Sequence, residues 1–444
     1  MGTGHLAVVG AGLAGLSAAV ELKRRGYSVE LFERTRLIGG KATSFEVDGV
    51  EVDNGQHVYL ACCTEFVHFI DQIASATGRT RDDLLYLQDR FEALLLAPGK
   101  EPSTLKAANL PSPLHLAPSL LGYRLLGVMD RLKIGLATLQ ARSGCRPGET
   151  MAEWLTRHGQ SDAARKAFWD PFLVPSLNAP LERVSAEAGL HVITTAFLAN
   201  SGAARIGFAK VPLGHLSSMA AETLDNVHLR SSVAAVTLDQ LIASSPMVTG
   251  LELNDGTRVE CDGVVLAVPP SNLARILGEP ERFGLQGLDR FESAPIVDLH
   301  LWYDVHEFDF GFAALIDSPV QWVFQKTPGY LCCSLSAADA HVHRPTEELI
   351  DMCDRELRKV LPLLSGAALL KGAATRDREA TFVPTPGLKR PGPATTSPNL
   401  VIAGAWTDTG WPATMESAVI SGREAAKSLA ANLASIGKDA VAVG

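Results

Sequence analysis

Cysteine pairs at metal-binding or redox spacing are missing from this chain of 444 residues. Its seven cysteines (Cys62, Cys63, Cys145, Cys261, Cys332, Cys333 and Cys353) include two adjacent pairs but no C-x-x-C. Neither a zinc site nor a disulfide framework is indicated, and reduced cytosolic thiols are the plain reading. Positive charge is not in excess either. Lys+Arg 40 against Asp+Glu 49 gives a net charge of −9, which argues against nucleic acid as the main partner, because phosphate binding needs a clustered positive face. No stretch is long, apolar and uncharged enough to span a bilayer. The first 20 residues are uncharged apart from protonation at His5, but they lack the basic start of a signal peptide. Repeats, low-complexity tracts, a P-loop and a G-x-S-x-G nucleophile elbow are absent. His341-Val-His343 has no acidic third ligand at a telling spacing, so no metal site is expected.

What is present suits a globular protein. An apolar fraction of 46% with 20% charged residues rules out disorder, and the length allows two or three packed units. Leu6–Val9 reads as a buried strand, Leu13–Arg25 as a helix and Tyr27–Phe32 as a second strand. Strands are also expected at 227–229, 234–238 and 263–268, with alternating segments at 297–303 and 321–324. A helix is expected near 347–361. The proline-rich stretch Thr385–Asn399 reads as a connector between lobes, followed by a strand at 400–403 and a helix at 413–431. The oiliest segment, Leu105–Leu139, is broken by Pro111, Pro113 and Pro118 and punctuated by Arg124, Arg131 and Lys133. It reads as a loop followed by an amphipathic helix, serving either as a buried helix pair or as a lipid-facing element.

The strongest local signal is Gly10-Ala-Gly12-Leu13-Ala14-Gly15, which follows a strand and opens a helix. The first glycine makes a tight turn, the second admits a pyrophosphate to the backbone, and the third lets helix and strand pack closely. The helix N-terminus offers unpaired N–H groups to the phosphates. Glu33 ends the second strand about 20 residues on, where its carboxylate can accept both ribose hydroxyls. Strand, glycines, helix, strand and acid in this order predict dinucleotide binding. A second glycine pair with a cation follows in Arg34-Thr-Arg36-Leu-Ile-Gly39-Gly40-Lys41. It can bring further amides and a positive charge to the same pyrophosphate, a feature with no particular use in a nicotinamide dehydrogenase.

Gly10 to Lys41, followed by Asp53-Asn-Gly55-Gln-His57, resembles the flavin-containing amine oxidase and phytoene desaturase superfamily. The stretch from Ala403-Gly404-Ala405-Trp406 through Asp408, Trp411-Pro412, Met415-Glu416 and Gly422 is more specific. It resembles the hydroxysqualene dehydroxylases of bacterial hopanoid biosynthesis, also described as squalene-associated FAD-dependent desaturases. Trp169-Asp-Pro-Phe through Asn178, His300-Leu-Trp302, Gln321-Trp322 and Ser336–Asp339 add to the match, which runs over almost the whole chain.

The resemblance implies an α/β fold: a FAD-binding, Rossmann-type (glutathione-reductase-like) domain of residues 1–60, 211–275 and 386–444. An inserted α+β substrate domain is expected at 61–210 and 276–385, with 105–139 as its candidate membrane contact. It implies FAD as cofactor, with Gly404, the Met415 backbone N–H and Val233 joining the two glycine motifs, Glu33 and Arg34 around it. Where related enzymes carry Asp, this chain has Ala405, with Asp408 a candidate substitute. The implied substrate is hydroxysqualene, dehydroxylated to squalene in the cytoplasm or peripherally at the inner membrane face. Candidate proton donors are Asp53, His57, Asp408 and Glu416, with Asp53 and Glu416 alternatively holding loops or capping helices. Trp302, Trp322, Trp406 and Trp411 are candidate channel walls, with core packing the rival for the first two. The rival functions are an oxidative phytoene- or squalene-type desaturase and a non-catalytic lipid carrier. Nothing in the residues points to a particular electron donor.

Overall fold

Leu6–Val9 can form a strand without polar alternation because both of its faces are covered. In the computed structural model, which describes residues 4–47, 49–239 and 246–443, His5–Val9 is the central strand of a five-stranded sheet. Strands Asn226–His228, Ser28–Phe32, His5–Val9, Gly263–Leu266 and Leu400–Ile402 lie side by side in that order, all parallel. Three stretches distant in sequence thus build one sheet. Helices Leu13–Arg24 and Met415–Val443 pack together over one face, and the apolar positions of both join the same core as Leu6 and Val8. The C-terminal helix begins two residues later than expected and runs well past 431. A three-stranded antiparallel unit (Val233–Asp239, Met247–Leu253, Arg258–Glu260) precedes the fourth strand in sheet order.

A second, seven-stranded sheet runs Leu369–Phe382, Ser293–Tyr303, Tyr330–Leu335, Trp322–Thr327, Phe312–Leu315, Glu92–Leu96, Ser103–Lys106. Its pairs are antiparallel except that between Phe312–Leu315 and Glu92–Leu96. Period-two alternation divides its residues. Val297, Leu299, Leu301, Val323, Leu331 and Cys333 bury under helix Thr346–Val360, whose Leu349, Cys353 and Leu357 meet them. The opposite face, carrying Asp298, Trp322, Phe324 and Ser334, turns to a large cavity.

Residues 110–198 are helical and cover that cavity, with Tyr123 and Trp154 fully buried in their core. The helix expected after the prolines is Val128–Gln140. It buries Ile134 and Ala137 but leaves Val128, Met129, Leu132, Leu136 and Leu139 each more than half exposed. No helix among the described residues is long and apolar enough to cross a membrane.

Candidate active site

At the end of the first strand Gly10 turns at φ +101°, and Gly12 starts the helix with no side-chain cap. The N–H groups of the first turn therefore stay available to an anion. A Cβ on Gly10 would lie 2.4 Å from the Ala267 carbonyl oxygen, and one on Gly15 1.8 Å from that of Gly10. Both glycines are required by the protein's own packing. A Cβ on Gly12 would meet nothing within 4 Å; it would project into empty space, where only a ligand needs the room. The second glycine pair closes on this loop, with Gly39 N–H donating to the Ala11 carbonyl at 2.8 Å.

Glu33 is buried, and its carboxylate accepts from Ala11 N–H at 2.9 Å and Thr35 N–H at 2.8 Å. Each oxygen keeps a lone pair for a ribose hydroxyl. Leu13, Ala14, Arg34, Gly40 and Val233 line the same cavity. Lys41 also lines it, but its ammonium reaches across to Asp377 at 3.0 Å and to the Glu379 carbonyl. The positive charge expected at the pyrophosphate is instead engaged by that carboxylate.

The cavity holds about 1130 Å³, more than the roughly 300–1,000 Å³ usual for one small ligand. Its far wall is the tail segment, where Gly404, Ala405, Trp406, Trp411 and Met415 all face it. Thr414 Oγ1 accepts the Ser417 N–H at 3.1 Å, while the first N–H groups of this helix have no acceptor within it. The loop before the helix is pinned by Arg390, which donates to the carbonyls of Ala405 (3.0 Å), Trp406 (3.1 Å), Trp411 (2.6 Å) and Thr407. Burial lowers the Arg390 pKa to about 10.

The predicted acids separate. Asp408 is exposed and lies outside the cavity lining, its backbone N–H bonded to the Pro391 carbonyl. It therefore does not share the place of Ala405, which faces the cavity. Asp53 is also outside the lining. Its carboxylate accepts from Ser44 Oγ at 2.7 Å and from the Leu213 N–H at 2.9 Å, and pairs with Lys326 at 3.2 Å. It holds the start of helix Leu213–Glu222, the structural alternative raised for it. Glu416 does line the cavity, yet it accepts the Glu65 and Phe66 N–H groups at 3.0 and 2.6 Å and so caps helix Thr64–Ala76. Burial raises it to about 7 against the pull of the backbone bonds. His57 lines the cavity, and burial lowers its pKa, favouring the neutral ring.

Asp298, which sequence reasoning passed over, is 3% exposed and lines the cavity beside Gly55, Gln56 and His57. It accepts from the Gln56 N–H at 3.4 Å, and Ser334 hydrogen-bonds it. Burial raises its carboxyl to about 6. Register places Asp298 opposite Ser334, Ser334 opposite Trp322, and Trp322 opposite Ala314. One row of the sheet therefore passes from a buried carboxyl to apolar side chains. Trp322 fixes its indole N–H on the Pro171 carbonyl at 2.8 Å and packs with Phe172 and Phe312, both at 6.0 Å. Phe172 continues to Phe197 at 5.8 Å and Phe91 at 6.3 Å. Trp406 bonds the Val268 carbonyl, and Trp411 meets His191 edge-on. Trp302 is elsewhere: it stacks on Tyr330 at 4.5 Å, with the Lys371 ammonium 4.9 Å over its ring, outside the cavity lining.

Residues 13–430 match the family model described as flavin containing amine oxidoreductase. The chain is 31% identical to the hydroxysqualene dehydroxylase of Rhodopseudomonas palustris, over 94% of this chain and 96% of that one. It is 22% identical to the zeta-carotene desaturase of Arabidopsis thaliana, over 95% and 84%. Among solved structures, an oxidoreductase from Methanosarcina mazei superposes with a TM-score of 0.72 at 17% identity, over 94% of this chain and 98% of that one. A flavin family joined to a dinucleotide cradle makes the cofactor FAD, and the residues around Gly12 and Glu33 fit it. The chain belongs to the flavin-containing amine oxidoreductases and, within them, resembles the hydroxysqualene dehydroxylases along nearly its whole length.

Proposed function

We propose that this oxidoreductase converts hydroxysqualene to squalene by reductive dehydroxylation. The reading takes residues 1–60, 211–275 and 386–444 as a Rossmann-type FAD unit and 61–210 with 276–385 as the substrate unit. The row from Asp298 through Ser334 to Trp322 and the phenylalanines carries it, because it sets a proton source at the end of an apolar, aromatic-walled space. That is what a long polyisoprenoid alcohol with one reacting oxygen needs.

Protonated Asp298 gives its proton to the allylic hydroxyl, which leaves as water. The cation left behind is delocalised, and the ring faces of Trp322, Phe172 and Phe324 stabilise it through their quadrupoles while keeping water away. His57, held neutral, adds no competing positive charge. Reduced FAD supplies the hydride that balances the reaction: alcohol, proton and hydride become hydrocarbon and water.

Anaerobic incubation of the purified holoenzyme, its FAD reduced, with hydroxysqualene is expected to yield squalene. Its absence defeats the proposal. Formation of new double bonds from squalene or phytoene with oxidised FAD instead favours the desaturase, and a colourless protein that takes up no FAD favours the carrier. Gly12→Ala tests the cradle separately. Gly12 has φ −74° and an open Cβ direction, so the apo-protein should melt unchanged. Affinity for FAD should fall about ten- to a hundredfold as the methyl meets the pyrophosphate, measured by flavin fluorescence titration.

A further inference from the structure

Eight of the thirteen large hydrophobic side chains exposed among the described residues fall between 110 and 139. On helix Val128–Gln140, Val128, Leu132, Leu136 and Leu139 follow one another at intervals of three or four residues and form an outward stripe, while Ile134 and Ala137 face the core. A helix with an apolar outer face in addition to its buried one is missing a partner. The surrounding charge identifies that partner's sign. Between residues 102 and 148 there are six basic residues and one acid, in a chain of net charge −9; Lys106 is ion-paired to Glu92, which leaves Arg124, Arg131, Lys133, Arg142 and Arg146 around the stripe. The acid, Asp130, accepts from Ser161 Oγ at 2.8 Å.

The same helix roofs a second apolar cavity of about 170 Å³. Leu114 and Leu139 lie at its exposed side, and Phe91, Phe172 and Phe197 line both it and the main cavity. Two of its walls, Arg165–Trp169 and Ile193–Leu198, are π-helical, a departure from regular helix often found at functional sites.

We propose that this face docks on an anionic lipid bilayer, the leucines entering the acyl boundary and the cations lying among the headgroups. The small cavity is then the port through which a polyisoprenoid passes from the bilayer, between the three phenylalanines, to Asp298. Docking stands independently of the proposed reaction; the port rests on it.

The test mixes FAD-loaded protein with phosphatidylglycerol/phosphatidylcholine vesicles and with phosphatidylcholine vesicles alone. Wild type should co-sediment with the anionic vesicles, less so as salt rises. The triple variant Val128→Ser/Leu132→Ser/Leu136→Ser should partition about tenfold or more weakly, with its flavin spectrum and its turnover of detergent-dispersed hydroxysqualene unchanged. Wild type left in the supernatant, equal sedimentation of the variant, or a wild-type dimer that the variant abolishes would each overturn docking. Gly135→Leu, which fills the port from its lining while leaving the outer stripe intact, should keep vesicle binding and the flavin spectrum but slow turnover of vesicle-embedded hydroxysqualene severalfold. An unchanged rate there overturns the port. Absence of turnover by wild type even in detergent would count against the reaction while leaving the sedimentation result standing.

Discussion

Replacement of Asp298 by asparagine is expected to lower the turnover of hydroxysqualene by roughly 10²–10⁴-fold while FAD stays bound. The amide keeps an oxygen to accept the Gln56 N–H and fits the same volume, so the 54–57 loop should hold its place. What is lost is an acidic proton facing the cavity. The pH dependence separates that role from packing. Burial raises the carboxyl from an ordinary 3.8 to about 6, and the donating form is the protonated one. Wild-type turnover should therefore fall as pH rises through about 6, and the residual turnover of the Asp298→Asn variant should lack that limb. Stability carries the same sign. Between the two pKa values the folded state holds a proton that the unfolded state has released, so this group's contribution is full below the unfolded value and is lost as pH rises through the folded one. Denaturation of the variant should not show this part of the pH dependence. A wild-type rate in the variant, with the limb intact, removes Asp298 from the chemistry. Glu416 is the weaker donor despite its raised pKa, because both its oxygens accept backbone N–H groups.

The contrast between these carboxylates shows where sequence reading succeeds and where it stops. Strand, glycine loop, helix and Glu33 are legible because each is specified by neighbours within a few residues, and the parallel sheet then follows from right-handed crossovers. Asp298 gives almost no such signal. In Val297-Asp298-Leu299-His300-Leu301 it resembles the solvent face of an alternating strand, and only the chain packed over that face makes it buried. Its partners Gln56 and Ser334 come from distant segments. Alternation in a strand whose polar positions include a carboxylate, a histidine and a tryptophan was the available clue. Asp408 misleads for the opposite reason. It sits between Trp406 and Trp411, which both reach the cavity, but the loop reverses at Gly410 with φ +75° and leaves the aspartate outside. Asp53 and Glu416 lie in the right segments, and the work they do is hydrogen-bonding helix starts, which composition cannot distinguish from acid catalysis.

Arg390 lies in a stretch that reads as a mere connector, and its replacement by methionine is expected to damage the protein more than any change on the cavity wall. Its guanidinium donates to four carbonyls between Ala405 and Trp411, with a fifth, weaker contact to Thr409 Oγ1 at 3.4 Å. The planar fork meets several acceptors at once, which a point-like ammonium cannot do. Its guanidinium carbon lies 4.9 Å from the centroid of the Phe382 ring, a cation–π contact. Methionine fills similar space but leaves those carbonyls without a donor, at a cost of about 2–4 kcal/mol after allowing for partial access of water. The loop carries Trp406 and Trp411 and leads into the helix whose first turn faces the cavity, so its loosening should release FAD as well as lower the melting temperature. Arg390→Lys should restore part of the stability but not full flavin retention, since three donors on a flexible stem replace a preorganised fork. Thermal unfolding of the apo- and holo-proteins, with flavin content after gel filtration, measures both effects. Equal melting and flavin content in all three proteins would mean that the loop is held by the Thr409–Ser417 and Thr407–Ser421 hydroxyl pairs alone.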